Sequence, residues 1–190
     1  VATVIFSSGS TGDPKGVMLS HANIFSNIES FYQVFDIGHS DVVMAALPFF
    51  HSFGFAATLC FPMGTGIGVV YHANPMDAAA IGRLTEKYKA TIIMGTPTFM
   101  SAYLRKCTAE QFATIRMAVV GAEKLKEPLA RAFCEKFKVM PFEGYGATEL
   151  SPIVTVGFPG YYNETTGEHQ VGHKIGKVGH PIPGVAVKVV

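Results

Sequence analysis

Ser7-Ser8-Gly9-Ser10-Thr11-Gly12-Asp13-Pro14-Lys15-Gly16 follows an apolar run, Val1 to Phe6, that reads as a buried strand. Three glycines, four hydroxyls and one lysine in this string suit a loop wrapped around an anion. Glycines let backbone N–H groups turn inward, hydroxyls donate from the sides, and lysine supplies charge. The common phosphate loop has a different order, with Lys directly after Gly; here Asp13 and Pro14 separate Gly12 from Lys15. On composition alone, a flexible Gly/Ser turn stays open as the alternative.

Bulk properties narrow the class. The 190 residues are 48% hydrophobic, enough for one sizeable core or two lobes. A formal net charge of +1 argues against a dedicated nucleic-acid binder, which needs a basic stripe. No window reaches the roughly 18–20 apolar residues of a membrane span. The nearest, Phe53 to Val70, is broken by Pro62 and four glycines. Cys60, Cys107 and Cys134 have neither zinc spacing nor a disulfide pattern, which points to a reducing, cytoplasmic setting. The chain opens in a strand without Met and stops in an apolar run, so both ends read as cut from a longer protein.

Along the chain, short apolar runs alternate with helical periodicity. Ser20 is placed to cap a helix to about Phe35, with Ile24, Phe25, Ile28, Phe31, Tyr32 and Phe35 as its apolar face. Strands are expected at Asp41 to Leu47, Ile67 to Tyr71, Thr91 to Met94 and Arg116 to Val120. Helices are expected after Pro48–Gly54 to about Phe61, from Asp77 to Tyr88, from a Thr98 cap to about Cys107, and from Glu127 to Phe137. This alternation implies an α/β fold: a largely parallel sheet with helices on both faces. Ligands collect at the carboxyl ends of such strands. The loops at Pro48–Gly54, Gly95–Pro97, Gly121–Leu125 and Gly144–Glu149 all follow strands. Gly95 and Thr96, at one such end, are assigned to the substrate side.

Two further stretches carry chemistry. Leu47-Pro48-Phe49-Phe50-His51-Ser52-Phe53-Gly54 sets one histidine among phenylalanines, where it either contacts a carboxylate or is a satisfied core residue. In Glu143-Gly144-Tyr145-Gly146-Ala147-Thr148-Glu149, two glycines flank a tyrosine suited to stacking on a purine. Thr148 offers a hydroxyl to a phosphate, and Glu149 a hard oxygen to Mg²⁺. His169, His173 and His180 lack metal-ligand spacing and are not assigned to a metal.

The first string, the Pro-x-x-His string and the Tyr-Gly-x-Thr-Glu string, in this order, resemble the signatures of adenylate-forming, AMP-binding enzymes: acyl-CoA synthetases, luciferases and nonribosomal adenylation domains. The resemblance covers essentially the whole chain. It implies ATP and Mg²⁺ as cofactors, with Ser7, Ser8, Gly9, Ser10, Thr11, Gly12 and Lys15 around the phosphates. It also implies Gly121, Ala122, Glu123, Glu143, Gly144, Tyr145, Gly146 and Thr148 on the nucleotide. Thr148, Glu149 and Lys15 become the catalytic set, Glu149 and Ser7 the metal ligands, and His51, Phe53 and Phe55 the acyl-pocket residues beside Gly95 and Thr96.

The wording of the motifs is most similar to the acyl-ACP synthetase part of bifunctional acyl-ACP synthetase/2-acylglycerophosphoethanolamine acyltransferases, or to long-chain acyl-CoA synthetases. That implies a fatty acid as substrate and an acyl carrier protein or coenzyme A as acceptor. It also implies a parent at the cytoplasmic face of the inner membrane. Residues 1–175 would form the central part of the AMP-binding domain and 176–190, with its Gly/Pro-rich turn Gly176–Gly184, the start of a smaller β subdomain. The C-terminal domain with its catalytic lysine would lie outside the chain, leaving it without full activity alone. The rivals are a degenerate nucleotide- or carrier-binding module and a phosphoryl-transfer NTPase.

Overall fold

The computed structural model describes residues 1–7 and 13–188. Strand β1 (Thr3–Ser7) pairs antiparallel with β2 (Lys15–Leu19), and Ser7 stands opposite Lys15. The two flanks of the glycine-rich string therefore meet at the open end of a hairpin. Ser8, Gly9, Ser10, Thr11 and Gly12 lie outside the described residues. The expectation of a buried first strand needs correcting: Val4 is 47% and Phe6 72% exposed, and within β1 only Ile5 is buried. The hairpin forms a two-stranded sheet of its own, so strand alternation turns Val4 and Phe6 away from the core that receives Ile5.

Helix α1 (His21–Tyr32) begins at a capping box. The Ser20 hydroxyl accepts from Asn23 N at 3.0 Å, and Asn23 Oδ1 accepts from Ser20 N at 3.0 Å. Its buried stripe is Ile24, Asn27, Ile28 and Phe31, the i, i+3, i+4, i+7 set. Phe25, expected on the apolar face, is exposed, and the helix stops short of Phe35.

Next come β3 (Val42–Ala45), α2 (Ser52–Gly54), a π-helical stretch (Phe55–Cys60) and α3 (Phe61–Thr65). They are followed by β4 (Gly68–Tyr71), α4 (Ala78–Tyr88), β5 (Ile92–Gly95) and α5 (Pro97–Lys106). Then come β6 (Met117–Val120), α6 (Glu127–Phe137), β7 (Pro141–Gly146), a 3₁₀ turn (Thr148–Leu150) and β8 (Ile153–Val156). A small hairpin, β9 (Tyr161–Tyr162) with β10 (His169–Gln170), precedes β11 (His180–Pro181).

The large sheet has the order β11-β8-β7-β6-β5-β3-β4. Strands β4, β3, β5, β6 and β7 are parallel; β8 and β11 add an antiparallel edge. His180–Pro181 thus borders the large sheet. Parallel strands require crossovers, and the helices supply them on both faces, so the strands read as nearly unbroken apolar runs. On one face, Ile28, Phe31 and Phe61 pack on Val43, Ala45 and Val119. On the other, Ile81, Tyr103 and Phe133 pack on Met44, Ile93 and Ala118. The expected α/β architecture with helices on both faces is what the chain adopts.

At the amino ends of the strands, Asp41 and Arg116 hold β3 to β6. Arg116 Nε donates to Asp41 Oδ1 at 2.9 Å, and Thr91 Oγ1 donates to the same oxygen at 2.6 Å. Burial alone would raise the Asp41 pKa, but the bonds from Arg116, Thr91 and Gly38 outweigh it and hold it at about 2. One boundary differs from expectation: α5 is capped by Thr96, not Thr98, because Pro97 takes the first helical position. The Thr98 hydroxyl instead donates to Glu123 Oε2 at 2.7 Å.

Candidate functional site

A cavity of about 220 Å³ opens at the carboxyl ends of β6 and β7. Gly121 and Ala122 form one wall, Gly144 to Thr148 a second, and His51 to Phe53 a third. Three loops expected to face one edge therefore meet around one space. The fourth does not reach it. After β5 the chain enters α5 directly through the Thr96 cap, so Gly95 is buried against Met100 and neither residue lines the cavity. Phe53 covers this region instead, and a Cβ on Gly121 would stand 3.4 Å from its ring.

Local geometry explains each wall. Gly146 follows from close approach: a Cβ there would lie 2.2 Å from the Pro152 carbonyl oxygen. That carbonyl accepts from Ala147 N at 2.9 Å and folds the Thr148–Leu150 turn back beside the cavity. Tyr145, half exposed, is left with a free ring face at the cavity wall. Across from it, Ala122 adopts φ 67°, a left-handed conformation that costs a non-glycine residue about 1 kcal/mol. This bend turns the 121–125 segment over the sheet edge, and Leu125 N donates to Glu143 Oε1 at 3.0 Å. Glu143 is buried behind the wall rather than lining it. Its Oε2 has no partner among the described residues. Glu123 is exposed, bonded to Thr98, and also outside the cavity lining.

His51 caps α2. Its Nδ1 accepts from Phe53 N at 3.2 Å, so the neutral ring carries its proton on Nε2 and can donate there. Next to it, buried Ser52 places its hydroxyl 3.0 Å from the Thr148 hydroxyl. Sequence reading missed Ser52, Pro152 and Ile153 as parts of the site. Position after His51 was the one available signal for Ser52; the other two sit past the last motif residue. A second, apolar hollow of about 40 Å³ shares Phe53, Val119, Pro152 and Ile153 with the main cavity and extends toward Phe31 and Phe61. Phe55 does not line either space. It faces a surface groove with Phe6, Phe49 and Phe50.

Glu149 is exposed on the turn after β7 and borders a shallow depression with Asn23 and Ser26 rather than the cavity itself. Strand β2 packs against this turn, which brings the Lys15 arm of the hairpin beside Thr148 and Glu149. The Ser7 hydroxyl is buried and has no partner among the described residues. Among those residues, no group of three or more His, Cys, Asp or Glu could hold a metal by itself. Nor is any helix long and apolar enough to cross a membrane.

A family of proteins described as AMP-binding enzyme matches residues 1–190. The chain belongs to this family. The long-chain-fatty-acid–CoA ligase of Yersinia pestis is 30% identical over 194 residues, covering 97% of this chain and 32% of the relative. Among solved structures, the anthranilate CoA ligase AuaEII in complex with anthranoyl-AMP superposes with a TM-score of 0.82 at 26% identity, over 95% of this chain and 34% of that one. O-succinylbenzoate coenzyme A synthetase (MenE) from Bacillus subtilis, in complex with ATP and magnesium ion, gives 0.79 at 27% identity, over 96% and 36%. This AMP-binding chain spans about a third of the length of the curated relatives it matches.

Proposed function

We propose that the chain is the central part of a larger ligase that activates a fatty acid with ATP. A carboxylate oxygen attacks the α-phosphorus, the bond to pyrophosphate breaks, and an acyl-adenylate forms. The sulfur of a thiol, of coenzyme A or of an acyl carrier protein, then attacks the acyl carbonyl carbon, the bond to the phosphate oxygen breaks, and AMP and the thiol proton leave. The observation that carries this reading is the cavity between Gly121–Ala122 and Tyr145, with His51 and Thr148 at its edges and an apolar hollow behind Phe53.

The residues fit the roles. A purine fits flat between the Gly121–Ala122 backbone and the Tyr145 ring. The Thr148 hydroxyl, oriented by Ser52, donates to a phosphate oxygen. Phe53 stands between the polar cavity and the apolar hollow, so the hollow receives the first methylenes of an acyl chain whose carboxylate faces Nε2–H of His51. Lys15, on the hairpin arm beside the Thr148–Leu150 turn, supplies positive charge to the departing phosphates. Magnesium bound through one carboxylate together with phosphate oxygens matches the donors present, an exposed Glu149 and the Ser7 hydroxyl, which has no partner among the described residues. When bound, that ion supplies charge neutralisation on the phosphates. The protein's share of catalysis is then mostly positioning and preorganised donors.

ATP–pyrophosphate exchange by the full-length enzyme, across carboxylates from acetate to palmitate, tests the proposal. Exchange that requires a medium or long fatty acid supports it. Hydrolysis to ADP with no carboxylate-dependent exchange would replace it with a phosphoryl-transfer activity.

A further inference from the structure

One buried polar side chain, Asn27, borders the apolar hollow behind Phe53 but has no role assigned to it above. Asn27 sits in the apolar stripe of α1, 9% exposed, between Ile24, Ile28 and Phe31. A polar group in such a stripe is costly unless its hydrogen bonds are made. Asn27 makes them across the fold. Its Oδ1 accepts from Ile153 N at 3.2 Å, while its Nδ2 donates to Ile153 O at 2.8 Å and to Leu150 O at 3.4 Å. The amide thus grips both backbone groups of Ile153 as a neighbouring strand would, and reaches the end of the turn that carries Thr148 and Glu149.

Both ends of this clamp belong to the site. Ile153 lines the main cavity and the apolar hollow. Leu150 closes the 3₁₀ turn, and Ser151 after it takes φ 75°, so the turn is held in a bent conformation. On the other side, α1 follows directly from β2, one arm of the hairpin around the glycine-rich string. We infer that Asn27 is a positioning residue for adenylation: it fixes the Thr148–Glu149 turn relative to the hairpin arm carrying Lys15. This rests on the functional reading above. An apolar residue would fill the same stripe but leave Ile153 N and O without partners. Nothing local in α1 accounts for an amide at this position.

The test compares full-length wild-type enzyme with Asn27→Ala and Asn27→Asp. Asp keeps the acceptor for Ile153 N and loses the donor to Ile153 O and Leu150 O. Initial rates of ATP–pyrophosphate exchange give kcat and KM for ATP and for the fatty acid. Amide hydrogen exchange is followed on peptides covering 148–153 without substrate. The expected result for Asn27→Ala is kcat lower on the order of 10-fold to 100-fold, the size of a small misplacement of reacting groups. The KM for ATP stays within about 2-fold, the KM for fatty acid reports separately on the hollow that Asn27 borders, and faster exchange is confined to 148–153. Asn27→Asp falls between, and it carries the test if the alanine variant does not fold. A lowered melting temperature with kcat per folded enzyme unchanged overturns the inference alone. Wild-type enzyme without carboxylate-dependent exchange overturns the functional reading and the inference with it.

Discussion

The hydroxyls of Ser52 and Thr148 are 3.0 Å apart, joining the segment after β3 to the turn after β7 where two walls of the cavity meet. Either oxygen can donate, so the bond sets which lone pair and which proton Thr148 has left for a ligand. Ser52→Ala removes this partner and only one oxygen atom from the cavity wall. The expected outcome is a loss of about 1 kcal/mol in stability and an exchange rate lower on the order of 10-fold. Ser52→Thr restores most of the rate. Thermal melts and exchange kinetics on the same preparations check both parts.

Gly146 faces the Pro152 carbonyl oxygen at a distance no side chain tolerates, 2.2 Å from an ideal Cβ. Backbone must move to relieve it, and the backbone in question supports Ala147 and Thr148. Gly146→Ala is expected to destabilise by about 1–3 kcal/mol, the usual cost of overpacking, and to weaken ATP binding by displacing Tyr145. Gly38→Ala is the control, since a Cβ there meets nothing within 4 Å. Melting temperature and nucleotide titration separate the two variants.

Why some of this was legible in the sequence follows from the kind of signal each element gives. Strands β3, β5 and β6 are short apolar runs ended by Pro or Gly, and caps such as Ser20 and Asp77 announce their helices locally. The loops at strand ends follow from the parallel topology, so His51, Gly121 and Tyr145 converge as expected. What the sequence concealed depends on contacts distant along the chain. Phe25 and Asn27 are two residues apart on α1, yet the phenylalanine faces out and the amide in, because Ile153 supplies the hydrogen bonds. The first strand reads as buried by composition, but its position outside the main sheet leaves Phe6 exposed. Thr96 and Thr98 are equally good caps by type, and Pro97 between them decides. Glu143 looks like a ligand residue in its motif, while one of its carboxylate oxygens accepts from Leu125 N behind the cavity wall.

Asp41 ties the amino ends of the strands to Arg116, far from the site, and gives stability a pH dependence. Its folded pKa of about 2 lies below the 3.8 of an unperturbed aspartate, so the folded state binds this proton less readily than the unfolded chain. The contribution, about 2 kcal/mol, is fully present above pH 4 or so. It is lost as pH falls from about 4 through about 2. Asp41→Asn should flatten that part of the stability curve and lower stability at neutral pH, because the Arg116 guanidinium loses its charged partner. Denaturant unfolding at a series of pH values measures it; a variant whose curve stays parallel to wild type's would show that other carboxylates govern the acid limb.

Glu149 is the exposed carboxylate on the turn after β7, and its surroundings make no demand on it for folding: no hydrogen bond or ion pair engages its side chain among the described residues. The ligand role proposed for it can therefore be tested apart from folding. Glu149→Gln keeps the shape and removes the charge, so melting temperature should hold within the small range of surface substitutions. Exchange should fall on the order of 100-fold or more, as when one element of a preorganised electrostatic site is removed. The half-saturating magnesium concentration should rise in the same variant, because a neutral amide is a weaker ligand for a hard dication than a carboxylate. Chelating magnesium from wild-type enzyme should abolish exchange reversibly. Magnesium titration of both proteins decides the matter: an unchanged midpoint in Glu149→Gln, beside a reduced rate, would move this residue from metal binding to positioning of the turn.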